Sequence, residues 1–331
     1  MTLEDPYGRV HRDLRISLTD HCNLRCTYCM PAEGVPWLPR QTLLSPEELM
    51  RIVRVGLAEG ITEVRLTGGE PLLRPDVVEI VARIAALSLP TGGHPEVSIT
   101  TNGIGLSKIA GALKDAGLTR VNVSLDTLDA ERFHQLTRRN RLTDVLAGIE
   151  AAREVGFAPI KVNAVPMREV NFDELADLLD WCLERDLELR FIEQMPLDAG
   201  HIWSRRTMVT QAEVIEQLSA RHRLTALPGR GAAPAERFLV DDGPGVVGII
   251  AAVTAPFCGA CDRLRLTADG QLRSCLFARG ESDLRGPLRD GASDEQLGQI
   301  FHECLAGKLP GHGINDPGFL QPDRPMSAIG G

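Results

Sequence analysis

The chain of 331 residues lacks an apolar run suited to a bilayer. Its longest uncharged stretch, residues 243 to 261, is interrupted by Pro244, Pro256 and four glycines, which argues against a membrane helix. The start also lacks an apolar segment, since Glu4, Asp5, Arg9, Arg12 and Asp13 crowd it. A secretory leader is therefore not expected, a cytoplasmic location is, and the thiols should stay reduced. Excess positive charge is missing too. A net charge of −9 disfavours a broad nucleic-acid surface, so any anionic ligand must be met by locally clustered arginines. There is no low-complexity segment, and no repeat beyond an alternation of short and long units. What remains, with 43% hydrophobic residues, is a chain able to bury a sizeable core.

The alternation is the main architectural signal. Six short β-rich runs, at 14–18, 63–67, 97–101, 121–125, 160–165 and 187–193, are separated by amphipathic segments such as PEELMRIVRVGLAEG and FDELADLLDWCLER. This pattern predicts an α/β fold with a parallel sheet curled into a full or partial barrel. The working face of such a barrel is the rim where strands end. The unusual loops all fall there: the cysteine loop after the first strand, TGGEP after the second, TTNG after the third, SLD after the fourth and IEQM after the sixth. Past residue 200 the alternation weakens. The expected organisation is a barrel over residues 1–200 and a smaller C-terminal region over 201–331.

CNLRCTYC places Cys22, Cys26 and Cys29 in a C-x3-C-x2-C spacing. Three thiolates leave one corner of an iron-sulfur cube open, and an open iron can bind and react with a small molecule. Structural zinc usually closes a tetrahedron with a second pair, and His21 is poorly placed as a fourth ligand. Three clustered cysteines also cannot all pair as disulfides. A second set, Cys258, Cys261 and Cys275, again offers three thiolates, and a second open-cornered cluster is the economical reading. Zinc with a distant fourth ligand remains its alternative. Cys182 and Cys304 lie in apolar helical patterns and read as small hydrophobes.

Arg263 and Arg265 alternate along an apparent strand beside the second set, so both emerge on one face. Arg15, Arg65 and Lys161 occupy other strands and supply further cations for an anionic substrate. The glycines of TGGEP let backbone approach a ligand closely, or simply make a tight turn.

CNLRCTYC, TGGEP and the partial barrel together resemble the radical S-adenosylmethionine (SAM) superfamily over roughly residues 10 to 200. The resemblance implies a partial (β/α)6 TIM-like barrel in which SAM chelates the open iron and yields a 5′-deoxyadenosyl radical. DLRISLTDHCNLRCTYCMP, VRLTGGEPLLR, ITTNG, VNVSLD, KVNAV, RFIEQM, FCGACDRLRLTADGQLRSCLF and the terminal IGG are similar to the GTP 3′,8-cyclase family of molybdenum-cofactor biosynthesis.

That likeness implies two [4Fe-4S] clusters, one on Cys22, Cys26 and Cys29 and one on Cys258, Cys261 and Cys275. It implies SAM contacts at Tyr28, Gly69, Ser124 and Met195, and GTP contacts at Arg15, Arg65, Thr100, Lys161, Arg263, Leu264 and Arg265. It names no catalytic side chain, because cluster and SAM carry the chemistry. It further implies a homodimer, a downstream cyclic pyranopterin monophosphate synthase, and a terminal Gly330-Gly331 that reaches the active site. No nucleic-acid or membrane partner is expected. The stretch at 92–96 departs from the family pattern as a solvent-side insertion. Two rival readings are a radical SAM peptide-modifying enzyme with an auxiliary cluster, and a noncatalytic metal-binding interaction module.

Overall fold

In the computed structural model, which describes residues 2–201 and 203–330, the six expected strands form where the patterns place them. They are β1 (Asp13–Ser17), β2 (Glu63–Thr67), β3 (Glu96–Thr101), β4 (Arg120–Ser124), β5 (Lys161–Ala164) and β6 (Glu188–Ile192). Each pairs in parallel with the next, and helices follow the strands. The helix Pro46–Glu59 shows how local sequence sets these boundaries. Ser45 accepts from the Glu48 amide while Glu48 reaches back to Ser45, Pro46 opens the first turn, and Gly60 closes the helix at φ +115°. Of the stretch at 92–96, residues 92–94 are exposed, Pro95 is buried and Glu96 begins β3.

The C-terminal region does not form a separate sheet. Its strands are β7 (Leu224–Leu227), β8 (Glu236–Val240), β9 (Val246–Ile250), β10 (Arg263–Leu266), β11 (Gln271–Arg273) and β12 (Ser282–Asp283). The sheet order is β12-β11-β10-β1-β2-β3-β4-β5-β6-β9-β8-β7, with β10 parallel to β1 and β9 parallel to β6. The barrel therefore stays open between flanks that both come from beyond residue 200. Among the described residues no helix is long and apolar enough to cross a membrane.

Period-two alternation explains both faces of this sheet. Leu14, Ile16, Val64, Leu66, Val97, Ile99, Val121 and Val123 are fully buried in one continuous apolar core. The other parity turns polar groups inward: Asp13 and Arg15 on β1, Arg65 on β2, Thr100 on β3, Asn122 on β4, Lys161 on β5, Arg190 on β6, and Arg263 and Arg265 on β10. Register then aligns charges across strands. Arg15 pairs with Arg65 on one side and Arg265 on the other, and Asp13 pairs with Arg263.

Candidate active site

The first cysteine triad sits in the loop after β1 and lines one cavity of about 150 Å³ with Gly68, Gly69, Thr100, Ser124 and Asp126. The loop is held by its own backbone and by arginines. Cys29 and Met30 donate to the Cys26 carbonyl, Arg25 donates to the carbonyls of Cys22 and Leu24, and Arg138 donates to those of Arg25 and Met30. Asn102 of TTNG lies 3.8 Å from the Cys22 Sγ. His21 stacks on Trp37 at 4.6 Å between ring centroids.

Burial pushes all three thiols above their ordinary range, Cys29 to about 12. As thiolates they therefore require positive charge among them. Among the described residues no three His, Cys, Asp or Glu side chains converge to hold a single metal ion. The thiols stand around a cavity, and three sulfur donors facing a shared space fit a cluster.

The two glycines of TGGEP serve the protein's own backbone. A Cβ on Gly69 would lie 2.3 Å from the His21 carbonyl oxygen, and one on Gly68 would lie 2.4 Å from that of Thr19. The second rim loop thus packs directly on the cysteine loop, with Gly69 donating to Thr19 and Glu70 to His21 at 2.7 Å each. Glu70 ties in the third loop, accepting from Thr101 Oγ1 at 2.6 Å and the Asn102 amide at 2.7 Å. Its burial raises the carboxyl to about 7 despite these donors.

A larger chamber of about 270 Å³ adjoins the first. Tyr28, Thr100, Ser124, Asp126 and Met326 line both spaces, while Cys258, Cys261 and Cys275 line only the larger one. Of the expected SAM contacts, Gly69 borders the first cavity, Met195 the chamber, and Tyr28 and Ser124 both. Arg15, Arg65, Arg263 and Arg265 border the chamber. Lys161 does not, and instead lies 3.8 Å from Glu188, where burial lowers it to about 8. Leu264 does not line the chamber either, being fully buried in the apolar core on the opposite face of β10.

The second triad sits in a different electrostatic setting. Burial raises Cys258, but at Cys261 Lys308 and Arg263 overcome burial and hold the thiol below its ordinary value. Lys308 is buried, donates to the Arg263 carbonyl at 2.9 Å, and lies 3.9 Å from the Cys261 Sγ. Three thiols, one of them lowered by nearby cations, fit a second cluster here. Cys182 and Cys304 are both buried in the core.

Several residues escaped the sequence reading. Arg190 lines the chamber and sits 3.2 Å from Glu188; its inward parity in LELRFIE was the available signal. Asp126 accepts from the Tyr28 hydroxyl and the Val165 amide at 2.8 Å each, and burial raises it to about 6. Arg9 donates to the carbonyls of Cys258, Leu309 and Pro310, a role without local signal because its partners lie some 250 to 300 residues away. The chain end also reaches this region. Gly330 gives its carbonyl to Arg265, whereas Gly331 lies outside the described residues.

The radical SAM superfamily matches residues 16–182, and the family described as Molybdenum Cofactor Synthesis C matches residues 187–314. A protein of Streptomyces coelicolor named GTP 3′,8-cyclase is 59% identical over 99% of this chain and 96% of its own. One of the same name from Corynebacterium glutamicum is 53% identical over 99% and 89%. Among solved structures, native anSMEcpe with bound AdoMet superposes with a TM-score of 0.62 at 16% identity, over 91% of this chain and 82% of that one. This last likeness concerns the fold alone.

Proposed function

The chain belongs to the radical SAM superfamily and, within it, to the GTP 3′,8-cyclase family, and from that membership we propose how its residues divide the work. Its activity is conversion of GTP to (8S)-3′,8-cyclo-7,8-dihydroguanosine 5′-triphosphate in molybdenum-cofactor biosynthesis. Cys22, Cys26 and Cys29 would hold the first cluster, which with SAM would supply the 5′-deoxyadenosyl radical needed for removal of H-3′ from the ribose and bonding of C3′ to guanine C8.

The observation that carries the assignment of roles is the pair of joined cavities. Tyr28, Ser124 and Asp126 line both, and each space is lined by one thiol triad. Tyr28, Gly69, Ser124 and Met195 hold SAM near the residues common to both spaces. Cys258, Cys261 and Cys275 would hold the second cluster, whose open iron would supply a binding position for the guanine end of the substrate. Arg15, Arg65, Arg263 and Arg265, with Thr100, meet the triphosphate, while Lys161 stays against Glu188 outside the chamber lining. Guanidinium forks suit this task because each can give two parallel hydrogen bonds to phosphate oxygens. Enclosure completes the design, since a carbon radical takes hydrogen from whatever is near and the substrate must be fixed with one C–H forward. A homodimer and handover of product to a cyclic pyranopterin monophosphate synthase extend the reading.

The test is anaerobic incubation of the protein with SAM, a strong reductant and individual nucleotides. GTP should give the cyclised product with 5′-deoxyadenosine, and ATP should not. SAM cleavage with GTP left intact under reducing conditions would remove the substrate assignment. Colourless protein containing zinc would remove the cluster assignments.

A further inference from the structure

One buried carboxylate stands among the arginines without any part in the roles above. Asp13 is nearly inaccessible, and its Oδ2 lies 3.6 Å from Arg65 Nη2, 3.7 Å from Arg15 Nε and 3.7 Å from Arg263 Nε. These residues come from three adjacent parallel strands, and the register fixes the arrangement: Asp13 is the Arg263 partner and lies two residues before Arg15, which pairs with Arg65.

The distances separate two kinds of contact. All three are ion-pair separations beyond hydrogen-bond length. The Asp13 Oδ1 and the Nε atoms of Arg15, Arg65 and Arg263 are buried without a hydrogen-bond partner among the described residues. Asp13 thus contributes charge without consuming the guanidinium donors. A carboxylate at 2.8 Å would occupy the fork that a phosphate needs, and no carboxylate would leave buried cations repelling one another. The crowding is real: burial lowers Arg15 well below the usual guanidinium range, with Arg65 adding to it, and lowers Arg265 to about 10.

We propose that Asp13 is a positioning residue for the triphosphate, a shared counter-ion that spaces Arg15, Arg65 and Arg263 before GTP arrives and keeps the chamber from holding phosphates indiscriminately. The proposal rests on reading these arginines as the triphosphate contacts. Removing its charge has two opposed consequences. The chamber becomes more positive, so a polyphosphate with no sugar or base to place binds more tightly. The guanidiniums lose their common reference, so GTP is held less well for reaction. A merely structural carboxylate would produce the second loss without the first gain.

The experiment compares wild-type holoenzyme with Asp13→Asn and Asp13→Glu, measuring equilibrium binding of inorganic tripolyphosphate beside GTP turnover. Asp13→Asn should bind tripolyphosphate roughly tenfold more tightly, while kcat for GTP falls at least about tenfold with no rise in KM. Asp13→Glu, which keeps the charge, should retain wild-type tripolyphosphate affinity. Iron content and GTP-independent SAM cleavage should match wild type in both variants and report intact folding. Weakened or unchanged tripolyphosphate binding in Asp13→Asn overturns the proposal, as does an equal gain in Asp13→Glu, or a rise in KM with kcat intact. Because anion binding is read without turnover, the wild type's failure to convert GTP would instead count against the functional reading.

Discussion

The Arg265 guanidinium donates a hydrogen bond to the Gly330 carbonyl oxygen, so the end of the chain is fastened to a strand of the chamber wall. The preceding turn crosses both spaces: Met326 lines each of them, and Ser327 lines the one that holds the first triad. Gly330 fits because it lacks a side chain and sits at φ +85°. A Cβ there would lie 2.5 Å from Thr67 Oγ1 and 3.2 Å from Ser17 Cβ. Gly330→Ala is therefore expected to displace the tail and lower GTP conversion by roughly ten- to a hundredfold, the scale set by small misplacements near reacting atoms. Iron analysis on the same preparation should show no loss. Full activity in this variant would mean that the tail's position is incidental.

Arg9 joins the N-terminal segment to the second triad. It is buried, bonded through Nε to Asp5 at 2.6 Å, and spreads its remaining donors over the carbonyls of Cys258, Leu309 and Pro310 at 2.7 to 3.0 Å. Its five N–H donors serve four partners, more than the three donors of an ammonium could. Arg9→Lys keeps the charge and loses that geometry. The expected outcome is a fall from about eight to about four irons per chain, with the first cluster's SAM cleavage retained. Iron counting and electron paramagnetic resonance of the reduced protein check it. An unchanged count would show that the Cys258–Cys261 turn holds itself.

The strands and the rim were legible because they rest on local rules. Period-two alternation in DLRIS, EVRLT and RVNVS set both the buried face and the inward charges. Cys22, Cys26 and Cys29 likewise announced themselves by spacing. Arg9, Asp13 and Lys308 did not, because each acts on residues that register or a distant loop brings near. The places of the C-terminal strands in the sheet escaped for the same reason. VVGII reads as an apolar segment, and nothing local says that it extends β6 while RLRL extends β1. TGGEP shows the opposite failure. Its glycines were visible, but the surface they accommodate is the Thr19–His21 backbone, known only from the fold.

Glu70 gives the rim a pH signature. Burial raises its carboxyl from 4.5 to about 7, so the folded state holds a proton that the unfolded chain releases between those values. Its stabilising contribution is full below 4.5 and is lost as pH rises through about 7. Glu70→Gln removes that titration, although it also turns an amide NH2 toward one of the three donors that Glu70 accepts from. The variant should be less stable than wild type at about pH 5, with the difference narrowing toward about pH 8. Thermal melting across that range decides it, and parallel curves for the two proteins would contradict the raised carboxyl.

Arg190 offers a cleaner test of the phosphate contacts than Arg263. Arg263 donates to the Ala232 carbonyl at 2.5 Å, lies over the Phe257 ring and comes within 3.6 Å of the Cys261 Sγ, so its removal disturbs a thiol of the second triad as well as the chamber. Arg190 touches neither triad. Its Nη2 donates to Asn122 Oδ1 at 3.2 Å, its Nε lies 3.2 Å from Glu188, and burial lowers it to about 10. A guanidinium held this way by one carboxylate, with Asn122 steadying its tip, keeps donors for an anion in the chamber. Arg190→Ala should raise the KM for GTP by roughly tenfold, the loss expected for one charge-assisted contact. Iron content and SAM cleavage without nucleotide should be preserved. Arg190→Lys should recover only part of the affinity, because an ammonium supplies charge without the fork. If KM stays at the wild-type value in both variants, the triphosphate lies away from β6.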